Sequence, residues 1–202
     1  MKNFFIYLLL LYPSFTFAQL GFKAGLNFAN VTNAGDINNS SSTGYHVGLF
    51  FSGSSKNILS SHTELQFSRQ GYKYSINENT GVVNLSYLML PQFMAINITK
   101  YVQLQLGAQV AYLLNAEVDT TASTGNAQVD NAIKLYNRFD YGFGGGVQVH
   151  PVKMLVVGAR MNVFLGNLYK EPEPGEDFSF IPEVNIRNNV VQLYAGVRFG
   201  GD

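Results

Sequence analysis

Val102-Gln-Leu-Gln-Leu-Gly-Ala-Gln-Val-Ala-Tyr112 decides the fold. Val102, Leu104, Leu106, Ala108, Val110 and Tyr112 take every second position, and Gln103, Gln105, Gly107 and Gln109 fill the gaps. Side chains along a strand point alternately to its two faces, so this segment has one apolar face and one made of amides and glycine. The same period recurs on both sides of it. Leu20, Phe22, Ala24, Leu26 and Phe28 alternate with Gly21, Lys23, Gly25 and Asn27, and Tyr45, Val47, Leu49 and Phe51 with Gly44, His46 and Gly48. Leu65 and Phe67 stand against His62, Glu64, Gln66 and Ser68.

Beyond residue 136, Phe139, Tyr141, Phe143, Val147 and Val149 oppose Asp140, Gly142, Gly144, Gly146 and Gln148. Leu155, Val157, Ala159, Met161 and Val163 oppose Gly158, Arg160 and Asn162, and Val191, Leu193, Ala195, Val197 and Phe199 oppose Gln192, Gly196 and Arg198. A fourth segment, 83–97, is less regular. Leu88 and Leu90 interrupt its alternation and Pro91 has no N–H to give a ladder, so a bulge or distortion is expected there.

The connections sort by length. Their expected spans, 31–42, 53–57, 71–82, 98–100, 116–136, 151–153 and 168–187, run long, short, long, short, long, short, long. Outer-membrane barrels have short periplasmic turns and longer extracellular loops in this order. Each short turn carries one lysine (Lys56, Lys100, Lys153), most acids fall in or beside the long loops, and no lipid-facing strand position is expected to hold a charge. The loop stretches 33–43, 119–130 and 170–177 read as mobile from their composition. In a bilayer every backbone polar group must be paired within the protein, so the sheet must close. The fold class is therefore all-β: a transmembrane, antiparallel up-and-down barrel of eight strands, with a lumen that side chains fill.

The N-terminus supplies the address. Lys2 precedes the apolar run Phe4 to Leu11, Pro13 breaks it, and Thr16-Phe17-Ala18 places small residues at −3 and −1. The run is far shorter than the ~20 residues of a membrane-spanning helix. Residues 1–18 thus read as a signal peptide cleaved between Ala18 and Gln19, and residues 19–202 as one barrel domain in the outer membrane of a Gram-negative bacterium. Composition agrees: 13% of residues are charged, 14% are Tyr or Phe, and mean hydropathy is +0.05. Basic and acidic residues number 13 each without a basic run, so nucleic acid is not an expected partner. The absence of cysteine excludes disulfides, thiolate metal sites, cysteine nucleophiles and a lipid-modified lipoprotein N-terminus.

Six fragments, in order, carry a resemblance: Gly21-Phe-Lys-Ala-Gly-Leu-Asn27, Glu64-Leu-Gln-Phe-Ser-Arg-Gln-Gly71, Tyr87-Leu-Met-Leu-Pro91, Leu106-Gly-Ala-Gln-Val-Ala-Tyr-Leu-Leu114, Phe139-Asp-Tyr-Gly142 and Gly158-Ala-Arg-Met-Asn162. Across most of residues 20–199 the chain resembles the PorT-type outer-membrane β-barrel family. The resemblance implies an eight-stranded barrel, no known catalytic residues, and in some relatives service to a secretion and surface-display apparatus.

Within the chain, Lys23, His46, Glu64, Asp140, Arg160 and Arg198 fall on inward faces and form the expected lumen network. A short 53–57 turn would set His46 almost opposite Glu64, and closure of strand eight on strand one would bring Arg198 near Lys23, with Glu64 and Asp140 as counter-charges. A metal or acid–base site at His46, His62 and Glu64 is the sharper reading. A hydrogen-bonded cluster filling the lumen is preferred, because zinc needs three or four convergent ligands. Gly142-Phe-Gly-Gly-Gly146 lacks the helix and Lys-Ser/Thr of a phosphate loop. No catalytic residue, cofactor or metal is expected. The expected role is structural, surface-interacting or in a secretion apparatus, with outer-membrane lipid, lipopolysaccharide and secretion or surface proteins as partners. A lipid-acting barrel enzyme and a narrow solute pore are the alternatives.

Overall fold

The computed structural model describes residues 19–32, 38–54, 57–76, 79–120, 136–170 and 186–200. They form eight strands: β1 (Gln19–Thr32), β2 (Asn38–Ser52), β3 (Leu59–Ile76), β4 (Asn79–Asn97), β5 (Val102–Thr120), β6 (Phe139–Val152), β7 (Leu155–Phe164) and β8 (Arg187–Phe199). Each pairs antiparallel with its neighbour in the chain, and β8 returns to β1 from Leu20↔Phe199 to Thr32↔Arg187, closing the barrel. Closure leaves no strand edge, as a membrane-embedded sheet requires.

The apolar positions named above face outward. Leu26 is 50% exposed, Tyr45 47% and Leu106 62%, whereas Lys23, His46, Glu64 and Arg160 are buried. Lys100 and Lys153 are exposed in their turns; Lys56, residues 1–18 and most of the acidic long-loop positions lie outside the described residues.

Two expectations are corrected. The first is strand length. β3, β4 and β5 run through segments expected as loop, and β1 and β2 reach Thr32 and Asn38, so residues 38–43, 71–76 and 79–82 are strand. The second is β4, whose burial alternates without a break from Gly81 to Ala95. Pro91 interrupts hydrogen bonding to β3 between Thr63↔Gln92 and Gln66↔Met89 without changing register. The register shift lies on the other side, between Ser86 and Tyr87, where β5 has Leu114 as an extra residue. Outward on β3, Arg69 pairs with Glu117 of β5 at 2.9 Å.

The strands differ in length for a physical reason. At ~3.3 Å per residue and a tilt near 40°, the ten residues of β7 rise about 25 Å, enough for an outer-membrane barrel's apolar band. The 19 residues of β4 and β5 rise about 45–50 Å by the same arithmetic. The surplus stands beyond the band on the long-loop side, and there the faces exchange character. Outward positions become Arg69, Lys73, Asn84, Ser86, Asn115 and Glu117. The inward ones, among them Val31, Tyr72, Val83, Leu85, Leu113 and Ala116, form a buried apolar cluster with Tyr136, Phe164 and Ile186.

Candidate functional site

The interior has two storeys. The lower one, at membrane level, is polar and centres on Glu64. Its Oε2 lies 2.6 Å from Lys23 Nζ, and Arg160 grips both oxygens through Nη1 and Nη2 at 2.9 and 2.8 Å. His62 Nε2 donates to Oε1 at 2.7 Å. Bidentate geometry of this kind gives the strongest side-chain ion pairs. Arg160 also donates to Gln105 Oε1 and lies over the Phe93 ring at 4.0 Å, while the Lys23 ammonium lies 4.3 Å from the centre of the Tyr194 ring. Glu64 on β3 and Arg160 on β7 stand on opposite walls, so their pairing ties the barrel across its axis.

Small residues make the space. A Cβ on Gly21 would come within 2.1 Å of the Phe50 ring, and one on Gly158 within 2.4 Å of the Tyr194 ring. The two rings flank the ionic cluster, Phe50 stacking on His62 at 5.2 Å between centroids. Below, Gln103, Gln105 and Gln148 form an amide ladder capped by the Tyr194 hydroxyl, which donates to Gln148 Oε1 at 3.1 Å. Above, Asn27 accepts from Gln192 and bonds the His46 ring at 2.8 Å, and Gln70 accepts from Asn188. The apolar storey closes the top.

Of the six residues expected to form one network, Lys23, Glu64 and Arg160 are in direct contact and three are elsewhere. His46 pairs in register with Ser68 and not with Glu64, whose level on β2 is held by Phe50. The β2–β3 connection is centred two residues later than a 53–57 turn implies, which shifts the register by four, since Ser52 meets His62. Arg198 pairs with Gly21 and donates to the Lys153 carbonyl at 2.9 and 3.3 Å, tying down the β6–β7 turn. Asp140 sits at the other end, accepting from the Tyr141 and Gly166 amides at 2.7 and 3.0 Å. His62, weighed in the sequence with His46 and Glu64, does contact Glu64, whereas the expected network left out Gln105, Tyr194 and Phe93. Parity alone places Gln105 and Tyr194 inward; Phe93 is hidden by the mixed pattern of β4. Among the described residues, no group of three or more His, Asp or Glu is arranged to hold a metal.

Over residues 16–170 the sequence matches the family model of the outer membrane protein β-barrel domain. The chain belongs to that family. It is an outer-membrane β-barrel protein. Among solved structures, the barrel is similar to Ail, the attachment invasion locus protein of Yersinia pestis, in complex with the heparin analogue sucrose octasulfate. That pair shares 17% identity over 91% of this chain and 99% of Ail, with a TM-score of 0.50. It is also similar to Neisserial surface protein A, at 15% identity over 90% of this chain and 99% of that one, with a TM-score of 0.53. At such identities the likeness is one of fold. No curated protein matches the chain.

Proposed function

We propose that this outer-membrane barrel is a closed scaffold of PorT type that acts through its extracellular surface, contacting a surface or secretion protein. The observation that carries the reading is the two-storey filling of the lumen. The Lys23–Glu64–Arg160 cluster crosses the channel at membrane level, and the apolar cluster around Tyr87, Leu113 and Phe164 fills it above. With the described part of the lumen filled at both levels, the barrel offers its outer surface for function. The part of that surface standing clear of the band carries Arg69, Lys73, Asn84, Asn115 and Glu117. Outer-membrane lipid surrounds the band, and lipopolysaccharide adjoins the extension.

Within this scaffold the Glu64 cluster acts as a staple between opposite walls and not as a reaction centre. All three histidines are buried inside the barrel: His62 on Glu64, His46 on Asn27 and His150 against Gln148 at 3.3 Å. Residues 1–18 are read as the export signal, with Gln19, where β1 opens, as the mature N-terminus. N-terminal sequencing of membrane-extracted protein should return Gln19 first; a start at Met1 would remove that reading. The surface role is tested by placing benzoylphenylalanine at Lys73 and irradiating intact cells. A discrete protein adduct is expected, and adducts with lipopolysaccharide alone would overturn the proposed protein partner.

A further inference from the structure

One part of the lipid-facing band breaks the rule that the rest obeys. Between Leu20 and Phe28, Tyr45 and Phe51, Leu104 and Leu114, Phe139 and Val149, Leu155 and Val163, and Val191 and Phe199, outward side chains are aliphatic or aromatic, or the position is Gly. On β3 and β4 the outward series reads Leu59, Ser61, Thr63, Leu65, Phe67 and Leu88, Leu90, Gln92, Met94, Ile96. The three polar residues meet. Thr63 Oγ1 donates to Gln92 Oε1 at 2.6 Å, and Gln92 Nε2 donates to Ser61 Oγ at 2.9 Å. Beside them a concavity of about 510 Å³ opens on the outer face, edged by Leu59, Ser61, Gln92, Met94 and Leu106.

The depth of Gln92 limits what can cover it. Two outward residues lie on each side of it along β4, about 13 Å of strand or roughly 10 Å of height toward either interface. Headgroups do not reach that level, and acyl chains offer no donor or acceptor. A carboxamide has two donor hydrogens and two acceptor lone pairs. Thr63 and Ser61 use one of each, so Gln92 presents one N–H and one acceptor to hydrocarbon, where unpaired polar groups are costly.

We infer that the β3–β4–β5 face is a homodimer interface within the membrane, with Gln92 at its two-fold axis. A second copy related by an axis along the membrane normal keeps every residue at its own depth. It brings Gln92 against Gln92, and one spare donor and one spare acceptor on each side satisfy each other reciprocally, as an isologous contact requires. Shape agrees with the hydrogen bonding. Ala108, the β5 partner of Gln92, and Ser61 are small enough to let two barrels approach closely. Leu106 is the most exposed apolar side chain of the band among the described residues, at 62%, and stands at the rim of a concavity that the other copy's Leu106 or Met94 can enter.

The test uses benzoylphenylalanine at Ala108, with the same probe at Ala195 on β8, on the far side of the barrel, as control. Irradiation of native outer membranes should give a covalent species of twice the chain's mass from Ala108 and not from Ala195. Adding Gln92→Leu should reduce that product at least fivefold, while faster gel migration without boiling shows the barrel still folded. Should Gln92→Leu fail that check, Gln92→Met replaces it. Lipid-only adducts at Ala108, a cross-link to a different protein, equal yield at Ala195, or a homodimer indifferent to the Gln92 change would each overturn the inference.

Discussion

Replacing Glu64 by Gln should destabilise the barrel far more than removing a charge on the outer surface. Glu64 faces the amine of Lys23 and the guanidinium of Arg160, with side-chain exposures of 0% for Glu64, 1% for Lys23 and 0% for Arg160. Two basic side chains thus share one carboxylate. The amide conserves volume and one acceptor, so packing is kept and the loss is electrostatic: two basic side chains stranded in a dry interior. Breaking a buried ion pair from one side costs about 3–5 kcal/mol. At a urea slope of about 2 kcal/mol per M, that lowers the unfolding midpoint by about 1.5–2.5 M. Glu117→Gln removes the partner of Arg69 in a pair whose side chains are 35% and 43% exposed. Surface pairs are worth about 0–1 kcal/mol, so that midpoint should move by less than ~0.5 M. The charge count adds a sharper test. Lys23→Met leaves Glu64 matched one-to-one by Arg160, so it should cost less than Glu64→Gln. In the Lys23→Met/Glu64→Gln double variant one stranded basic side chain is gone, and part of the lost stability should return. Urea titrations of the four variants in lipid vesicles measure all of this. Equal shifts for Glu64→Gln and Glu117→Gln would refute the idea of a buried ionic staple.

Other outcomes follow from packing. Gly158→Ala puts a methyl 2.4 Å from the Tyr194 ring, which must move off the Gln148 ladder; a loss of about 1–3 kcal/mol in the same titration is expected. Leu113 and Leu114 are adjacent and chemically identical, but the first is fully buried in the upper apolar cluster and the second is 45% exposed on the outside. Leu113→Ala should therefore cost about 2–5 kcal/mol and Leu114→Ala clearly less, a ranking that thermal or urea unfolding checks directly. In planar bilayers the purified protein should show no steady conductance, and reproducible porin-sized steps would contradict a lumen filled at two levels.

The alternation of apolar and small polar residues made the lower half of the molecule legible, because a membrane barrel reads there as one face for lipid and one for the lumen. Lys23, Glu64, Asp140 and Arg160 were placed on inward faces by parity alone. Parity says nothing of height, however, and height depends on register. Glu64 meets Phe50 and not the level of His46 because the β2–β3 connection is centred later than its Gly and Ser content suggests. Asp140 and Arg198 are inward too, but at opposite ends of the barrel, each occupied with backbone groups. The extended ends of β3–β5 went unread for a different reason. Above the band the code reverses, so Val83, Leu85, Tyr72 and Leu113 are inward where an apolar-outward rule expects polar residues. On β4 the two codes meet. Tyr87 and Met89 belong to the upper core, Leu88 and Leu90 to the lipid band, and the resulting apolar run conceals a regular strand.

That reversal bears on how the protein works. A barrel that only had to cross the membrane would need strands like β7, ten residues long. The additional length of β3, β4 and β5 needs its own stabilisation, because ordering each extra residue costs roughly 1–2 kcal/mol of backbone entropy. In water that stabilisation comes from an inside-apolar core, and Val31, Tyr72, Val83, Leu85, Leu113, Phe164 and Ile186 supply one. Tyr136 and Leu168, which belong to no strand, are buried in it, and the Tyr72, Tyr136 and Tyr169 hydroxyls meet at its edge. The upper barrel is thus built as a water-soluble domain continuous with a membrane anchor. A purely structural anchor has no use for such an extension, whereas a protein that must hold a partner clear of the lipid surface does. The extra strand length is therefore in keeping with the surface role proposed above.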